Sequence, residues 1–159
     1  MKYLRPPVLF FLLTLLLGSC RPYAGERLLG NQAPDFTLSN LKGEKVQLSK
    51  LTGQKPTMLV FWATWCPTCN EEIPTLNQWV RLYPGLQIVG IDVQESPERV
   101  RVFTEKKKFQ YPVLLDEEGE VAEQYGLVGI PASVLIAQGG KIIYYGFSLP
   151  QNVEQLIKP

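Results

Sequence analysis

The sequence predicts a single α/β domain in which a mixed central β-sheet is flanked by helices and carries an N-terminal β-hairpin extension. Three observations lead there. Two uninterrupted apolar runs of strand length, PTMLVFWAT (56–64) and LQIVGIDVQ (86–94), enclose a helical segment, the pattern of parallel strands covered on both faces. Apolar and polar residues alternate on both sides of Lys42-Gly43 in FTLSNLKGEKVQLSKL, which reads as two short strands and a turn. A second pair, ASVLIA and KIIYYGF joined by Gly139-Gly140, reads as a hairpin near the end of the chain. With 159 residues, 45% of them hydrophobic, the chain is long enough for one compact core and too short for two comfortable ones.

Taken in order, the chain opens with an address. Lys2 and Arg5 precede the apolar run Val8 to Leu17, which has the length of a signal-peptide core and falls short of the roughly 20 residues of a spanning helix. LGSC, Leu17 to Cys20, follows at once and resembles the lipobox of bacterial lipoproteins, in which the cysteine is diacylated and becomes the new N-terminus. The competing reading is an ordinary signal peptide with a chance cysteine. Residues 1–19 are therefore expected to be a lipoprotein signal peptide, residues 20–30 a lipidated N-terminus and tether, and residues 31–159 the folded domain. The tether, with Pro22 and Gly25, shows no apolar periodicity.

After the first hairpin and the strand at 56–64, a helix is expected from about Pro67 through EEIPTLNQWVRLY, with a kink at Pro74. The second buried strand leads to SPERVRVFTEKKKF, a helix with Ser96 as N-cap and Pro97 as its first residue. Lys106 to Lys108 then form a solvated, cationic helix end, complementary to the macrodipole; a docking patch is the alternative. A short strand YPVLLD, a helix around Glu120 to Tyr125, the second hairpin and a last helix from about Pro150 to Ile157 complete the domain.

Composition removes several classes of function. Sixteen Lys and Arg against fifteen Asp and Glu leave a net charge of +1, so no basic face advertises nucleic acid. Histidine is absent, and with it the commonest transition-metal ligand and the usual general base. Of three cysteines, Cys20 is assigned to lipid, which leaves Cys66 and Cys69 as a self-contained pair. Zinc needs four ligands and the chain offers two thiolates, so no metal is expected, and a copper site fails for want of histidine. As a staple, a loop of two intervening residues removes little entropy from the unfolded chain. Reversible chemistry suits the pair better. Cys66 stands where an apolar strand gives way to a helix, facing unpaired amides and the positive end of the dipole, which favours thiolate. Cys69, one turn on, is placed to attack a mixed disulfide formed at Cys66. Trp65 offers a flat apolar surface for a partner or simply packs, whereas Trp62, inside the strand, reads as core.

FWATWCPTC resembles the active-site segment of thioredoxin-fold proteins. The wider pattern of NQAPDFTL, LVFWATWCPTCNEEIPTL and YGLVGIPASVLI is similar to the TlpA/ResA-like branch of membrane-tethered thiol-disulfide oxidoreductases, over nearly the whole chain from Asn31 onward. The resemblance implies a thioredoxin-like fold, with Cys66 as attacking thiol and Cys69 as resolving thiol. It also implies a cis-proline at Pro131, and an Ile130 whose carbonyl and amide pair with an extended partner segment. Thioredoxin buries an aspartate where this chain has Val60; the TlpA/ResA-like branch instead has a glutamate three residues after the second cysteine, where Glu72 stands, and that residue is implied as proton acceptor for Cys69. Glu71 reads as surface. The implied function is disulfide exchange with exported proteins at the cell envelope, by a lipid-anchored monomer that needs no cofactor. The implied direction is reduction, with electrons from a membrane thiol donor, as in relatives that reduce apocytochrome c cysteines. Pro67-Thr68 between the cysteines and Ala132 after the cis-proline depart from the branch, so an oxidant or isomerase remains open. Peroxiredoxins share an APDFTL-like segment, but their peroxidatic cysteine follows a threonine or serine by three residues and a proline by seven, where this chain has Ala63 and Leu59. A binding module that holds partners without turnover is a further alternative, for which the second thiol is superfluous.

Overall fold

The computed structural model describes residues 24–158. The expected signal peptide and the expected lipidation at Cys20 lie outside the described residues. Seven strands form one mixed sheet in the order β2-β1-β5-β4-β3-β6-β7. Its centre is built by β3 (Thr57–Trp62), β4 (Gln87–Val93) and β5 (Val113–Asp116), mutually parallel through the crossover helices α2 (Pro67–Leu82) and α3 (Pro97–Lys107). All six residues of β3 are buried, as a strand covered on both faces requires.

Antiparallel strands extend the sheet on either side. The first hairpin, β1 (Thr37–Asn40) and β2 (Lys45–Gln47), joins β5 through β1 and so belongs to the same sheet. Its turn is closed by Asn40, whose side-chain oxygen accepts from the amides of Lys42 and Glu44 at 2.9 and 3.0 Å, while Gly43 supplies a φ of 81°. The second hairpin, β6 (Ala132–Ile136) and β7 (Ile142–Gly146), pairs with β3, and its Gly139 and Gly140 both take positive φ.

Period-two alternation divides the core into two layers. Leu59, Phe61, Val89, Ile91 and Leu114 pack under Leu48 of α1 (Leu48–Thr52) and under Val121 and Tyr125 beside α4 (Glu120–Gln124). On the other face, Met58 and Val60 meet Leu76 of α2 and Val153 of α5 (Val153–Ile157), and Trp62 meets Val100 of α3. Trp62 is 3% exposed and stacks within 4.9 Å of Phe109, which confirms it as core. Its indole lies over Gly90, where an added Cβ would stand 3.0 Å from Nε1.

Three local expectations need correction. QLSKL was read as the end of a strand, but the chain becomes helical at Leu48. The reason is distant in sequence: Asp35 accepts from the amide and hydroxyl of Ser49, at 2.9 and 3.0 Å, and so caps α1 from fourteen residues away. Desolvation opposes the charge on Asp35, yet hydrogen bonds from Gln47 and Ser49 outweigh it and hold the carboxyl below its usual range. Ser96 occupies the N-cap of α3 in extended conformation, but its side chain makes no capping hydrogen bond. Finally, residues Ala24–Leu28, read without regular structure, form a short 3-10 helix, and the chain beyond it bonds to β7 through the amide of Gly30 and the carbonyl of Ile142 at 2.8 Å.

Candidate active site

From Trp62 the chain leaves the sheet through Ala63, Thr64 and Trp65 and enters α2 at Pro67, which is tolerated there because a first-turn amide has no helical partner. Cys66 is the N-cap, extended at φ −86° and ψ 108°, and its sulfur accepts from the amide of Cys69 at 3.2 Å. A sulfur so placed receives one of the orphan donors of the first turn and the positive end of a sixteen-residue helix. Cys66 and Cys69 are joined in a disulfide with Cα atoms 5.3 Å apart. Each is 4% exposed, and the pair packs in one cluster with Trp62, Val100, Val113 and Leu115.

Trp65 stands beside this covered pair at 63% exposure, so it does not pack into the core. The Ile130-Pro131 bond is cis, Pro131 is buried, and Ile130 packs against the cluster that holds both cysteines. Trp65 and Ile130 both line a groove of about 750 Å³, together with Val93 and Leu127 and the more polar Glu118 and Glu123. The groove thus runs from the disulfide turn to the cis-proline, with apolar walls and an acidic rim.

One carboxylate holds the turn from the side of α3, and a second lies buried behind it. Glu95 accepts from the Thr64 amide at 2.5 Å and from the Thr64 hydroxyl at 2.7 Å, and forms an ion pair with Arg99 at 2.8 Å. Arg99 also donates to the Thr64 hydroxyl at 2.9 Å. Behind Glu95 lies Asp92, fully buried in β4 between Trp62 of β3 and Leu115 of β5. Neither carboxyl oxygen of Asp92 has a partner when the group is ionised. Burial first, then a hydrogen bond to Glu95 and the charge of Glu95, push it up to about 8. Asp92, Glu95, Thr64 and Arg99 were missed in the sequence; the one signal was an aspartate inside the apolar run LQIVGIDVQ.

Glu72 lies one turn beyond Cys69 on α2, and Glu71 beside it is exposed. Glu72 is half-buried, with Oε2 enclosed and unpartnered. Desolvation raises its pKa, against a lowering hydrogen bond from the Leu149 amide. It stands outside the groove formed by Trp65 and Ile130, toward Tyr111, whose own ionisation it opposes.

Residues 29–145 match the model of the AhpC/TSA family. The chain belongs to the AhpC/TSA family. Within that thioredoxin-fold family its relatives are thiol-disulfide oxidoreductases. It is 34% identical over 137 residues to the thiol-disulfide oxidoreductase ResA of Bacillus thuringiensis subsp. konkukian, covering 82% of this chain and 77% of the relative. It is 33% identical over 131 residues to ResA of Geobacillus thermodenitrificans, covering 80% and 75%. Among solved structures, the thioredoxin domain of a thiol-disulfide oxidoreductase of Bacteroides vulgatus superposes with a TM-score of 0.73 at 28% identity, covering 82% of this chain and 98% of that one. The protein is a thiol-disulfide oxidoreductase of the ResA type with a thioredoxin-like fold. In this AhpC/TSA member, Ala63 and Leu59 are fully buried apolar residues at the two places where a peroxidatic cysteine has its hydroxyl and its proline.

Proposed function

We propose that the protein reduces disulfides of exported proteins from a lipid anchor on Cys20, with Cys66 attacking and Cys69 resolving. The observation that carries this reading is the Cys66–Cys69 pair at the head of α2, beside a groove that joins Trp65 to the cis Ile130-Pro131 bond. In the reduced protein, the Cys66 thiolate attacks one sulfur of the partner's disulfide, a mixed disulfide forms, and the other partner sulfur leaves as thiolate. Cys69, its proton passed to Glu72, then attacks the Cys66 sulfur; the Cys66–Cys69 disulfide closes and the partner departs carrying two electrons. A membrane thiol donor restores the dithiol. An extended partner segment pairs with the backbone of Ile130 while Trp65 covers its flank. The disulfide of apocytochrome c is the substrate that the resemblance to the TlpA/ResA-like branch implies.

Direction is set by potential. A value near that of thioredoxin, about −270 mV, is expected from equilibration of the Cys66–Cys69 couple with glutathione; one near about −120 mV would overturn the reductase in favour of an oxidant. Among the described residues no helix is long and apolar enough to cross a membrane. The proposed anchor is tested at Cys20: Cys20→Ala is expected to move the protein from the membrane pellet to the soluble fraction, and retention in the pellet would remove the lipid anchor.

A further inference from the structure

We propose that Asp92 is a positioning residue of the redox centre: as a neutral acid it donates a hydrogen bond to Glu95, and so lets Glu95 hold the turn that presents Cys66. Position 60, where thioredoxin buries an aspartate, is apolar Val60 at 2% exposure. One strand over, on the same sheet face as Trp62 and both cysteines, Asp92 is 0% exposed. Buried polar atoms are normally satisfied, and a carboxylate with two enclosed, unpartnered oxygens is the exception that requires a cause. A proton supplies it. Ionised Asp92 only accepts and has no donor to accept from, whereas protonated Asp92 donates to the buried carboxylate of Glu95.

Glu95 is the link to the cysteines. Its two oxygens bind the amide and the hydroxyl of Thr64, two residues before Cys66, and one also meets Arg99. The charged groups facing Asp92 are Glu95 from the turn after β4, Arg99 from α3 and Asp116 from the end of β5. Asp116 is occupied by the amides of Val121 and Ala122 at 3.2 and 2.8 Å. With Asp92 neutral, Glu95 and Arg99 balance. With Asp92 ionised, two buried carboxylates confront a guanidinium that is 59% exposed and screened by water. The added negative charge repels Glu95 and loosens its hold on Thr64, so that the turn no longer presents the Cys66 sulfur for attack. The fold weakens by the same ionisation. A carboxyl raised from 3.8 to about 8 gives stability that is complete below its unfolded value and is lost as pH rises through about 8.

The inference rests on Cys66 as attacking thiol, so it is tested in Cys69→Ser, where only Cys66 reacts. The reduced protein is mixed with a small aromatic disulfide from about pH 5 to about pH 10, and the released chromophore gives the rate. The rate is expected to rise as the thiolate forms and then to fall about three- to tenfold across the ionisation of Asp92. In Asp92→Asn/Cys69→Ser, whose amide still donates to Glu95 but cannot ionise, it should rise and hold. An unbroken rise with Asp92 present, or an alkaline fall that survives Asp92→Asn, overturns the proposal. No reaction at any pH would instead remove Cys66 as the attacking thiol. Carboxyl carbon resonances of the otherwise unaltered protein, labelled at aspartate, then decide for Asp92 alone, and also if Asp92→Asn fails to fold. One aspartate titrating in the alkaline range supports the proposal, and all aspartates titrating below about pH 5 sink it.

Discussion

Cys69→Ser is expected to turn the enzyme into a trap. With Cys66 intact, partner disulfides are still attacked, but the mixed disulfide has no resolving thiol within reach. An intramolecular thiol on the next helical turn acts at an effective concentration far above that of any thiol in solution, so turnover should fall about a hundredfold or more. Non-reducing gels should show a stoichiometric adduct that collapses with reductant. Cys66→Ser should lose turnover to the same extent and form no adduct, because the thiol at the helix N-cap, with the Cys69 amide 3.2 Å from its sulfur, is then gone. The asymmetry between the two variants is the informative result. Equal trapping by both would mean that the order of attack is not set by the N-cap. Trapping by neither, with no reduction of protein disulfides, would leave a module that binds without turnover.

The cysteine pair was legible because its chemistry is local. Helix polarity, a strand end and a spacing of three can all be read from Phe61 to Pro74. The central strands were equally legible, since burial on both faces writes an unbroken apolar run such as Met58 to Trp62. What escaped depends on residues distant in sequence. The start of α1 at Leu48 is set by Asp35 from outside any local window, and Ser96 stands at an N-cap position with a capping side chain that makes no capping hydrogen bond. The insertion of β1 beside β5 likewise depends on pairing across about seventy-five residues of chain, and on register that hairpin alternation does not encode. Asp92 is the sharpest case. In the sequence it is one acid in an apolar run; only the register Trp62, Asp92, Leu115 across three strands places it on the face of the disulfide, and only α3 brings Arg99 to Glu95.

Glu72 carries the second large effect. A plainer role for Glu72, a carboxylate complementing the helix N-terminus, is weak because no acid lies in the first turn of α2; Glu72 is beyond it. Spacing of three from Cys69 puts both on one face of the helix. Its enclosed, unpartnered Oε2 and its raised pKa describe a carboxyl held ready for a proton rather than one stabilised as an ion. Glu72→Gln keeps the shape and removes the base. Formation of the mixed disulfide at Cys66 should change little, while its resolution by Cys69 should slow by about 10²-fold. The pH dependence separates this from a packing effect. A base works only when deprotonated, so resolution in the unaltered enzyme should rise with pH through the raised value of Glu72. In Glu72→Gln that limb should vanish, and the rate should climb only where Cys69 itself ionises, near about 8.5 for an unperturbed thiol. If the resolution step keeps its acid limb in Glu72→Gln, the proton of Cys69 leaves by another route and Glu72 serves only the packing between α2 and Leu149.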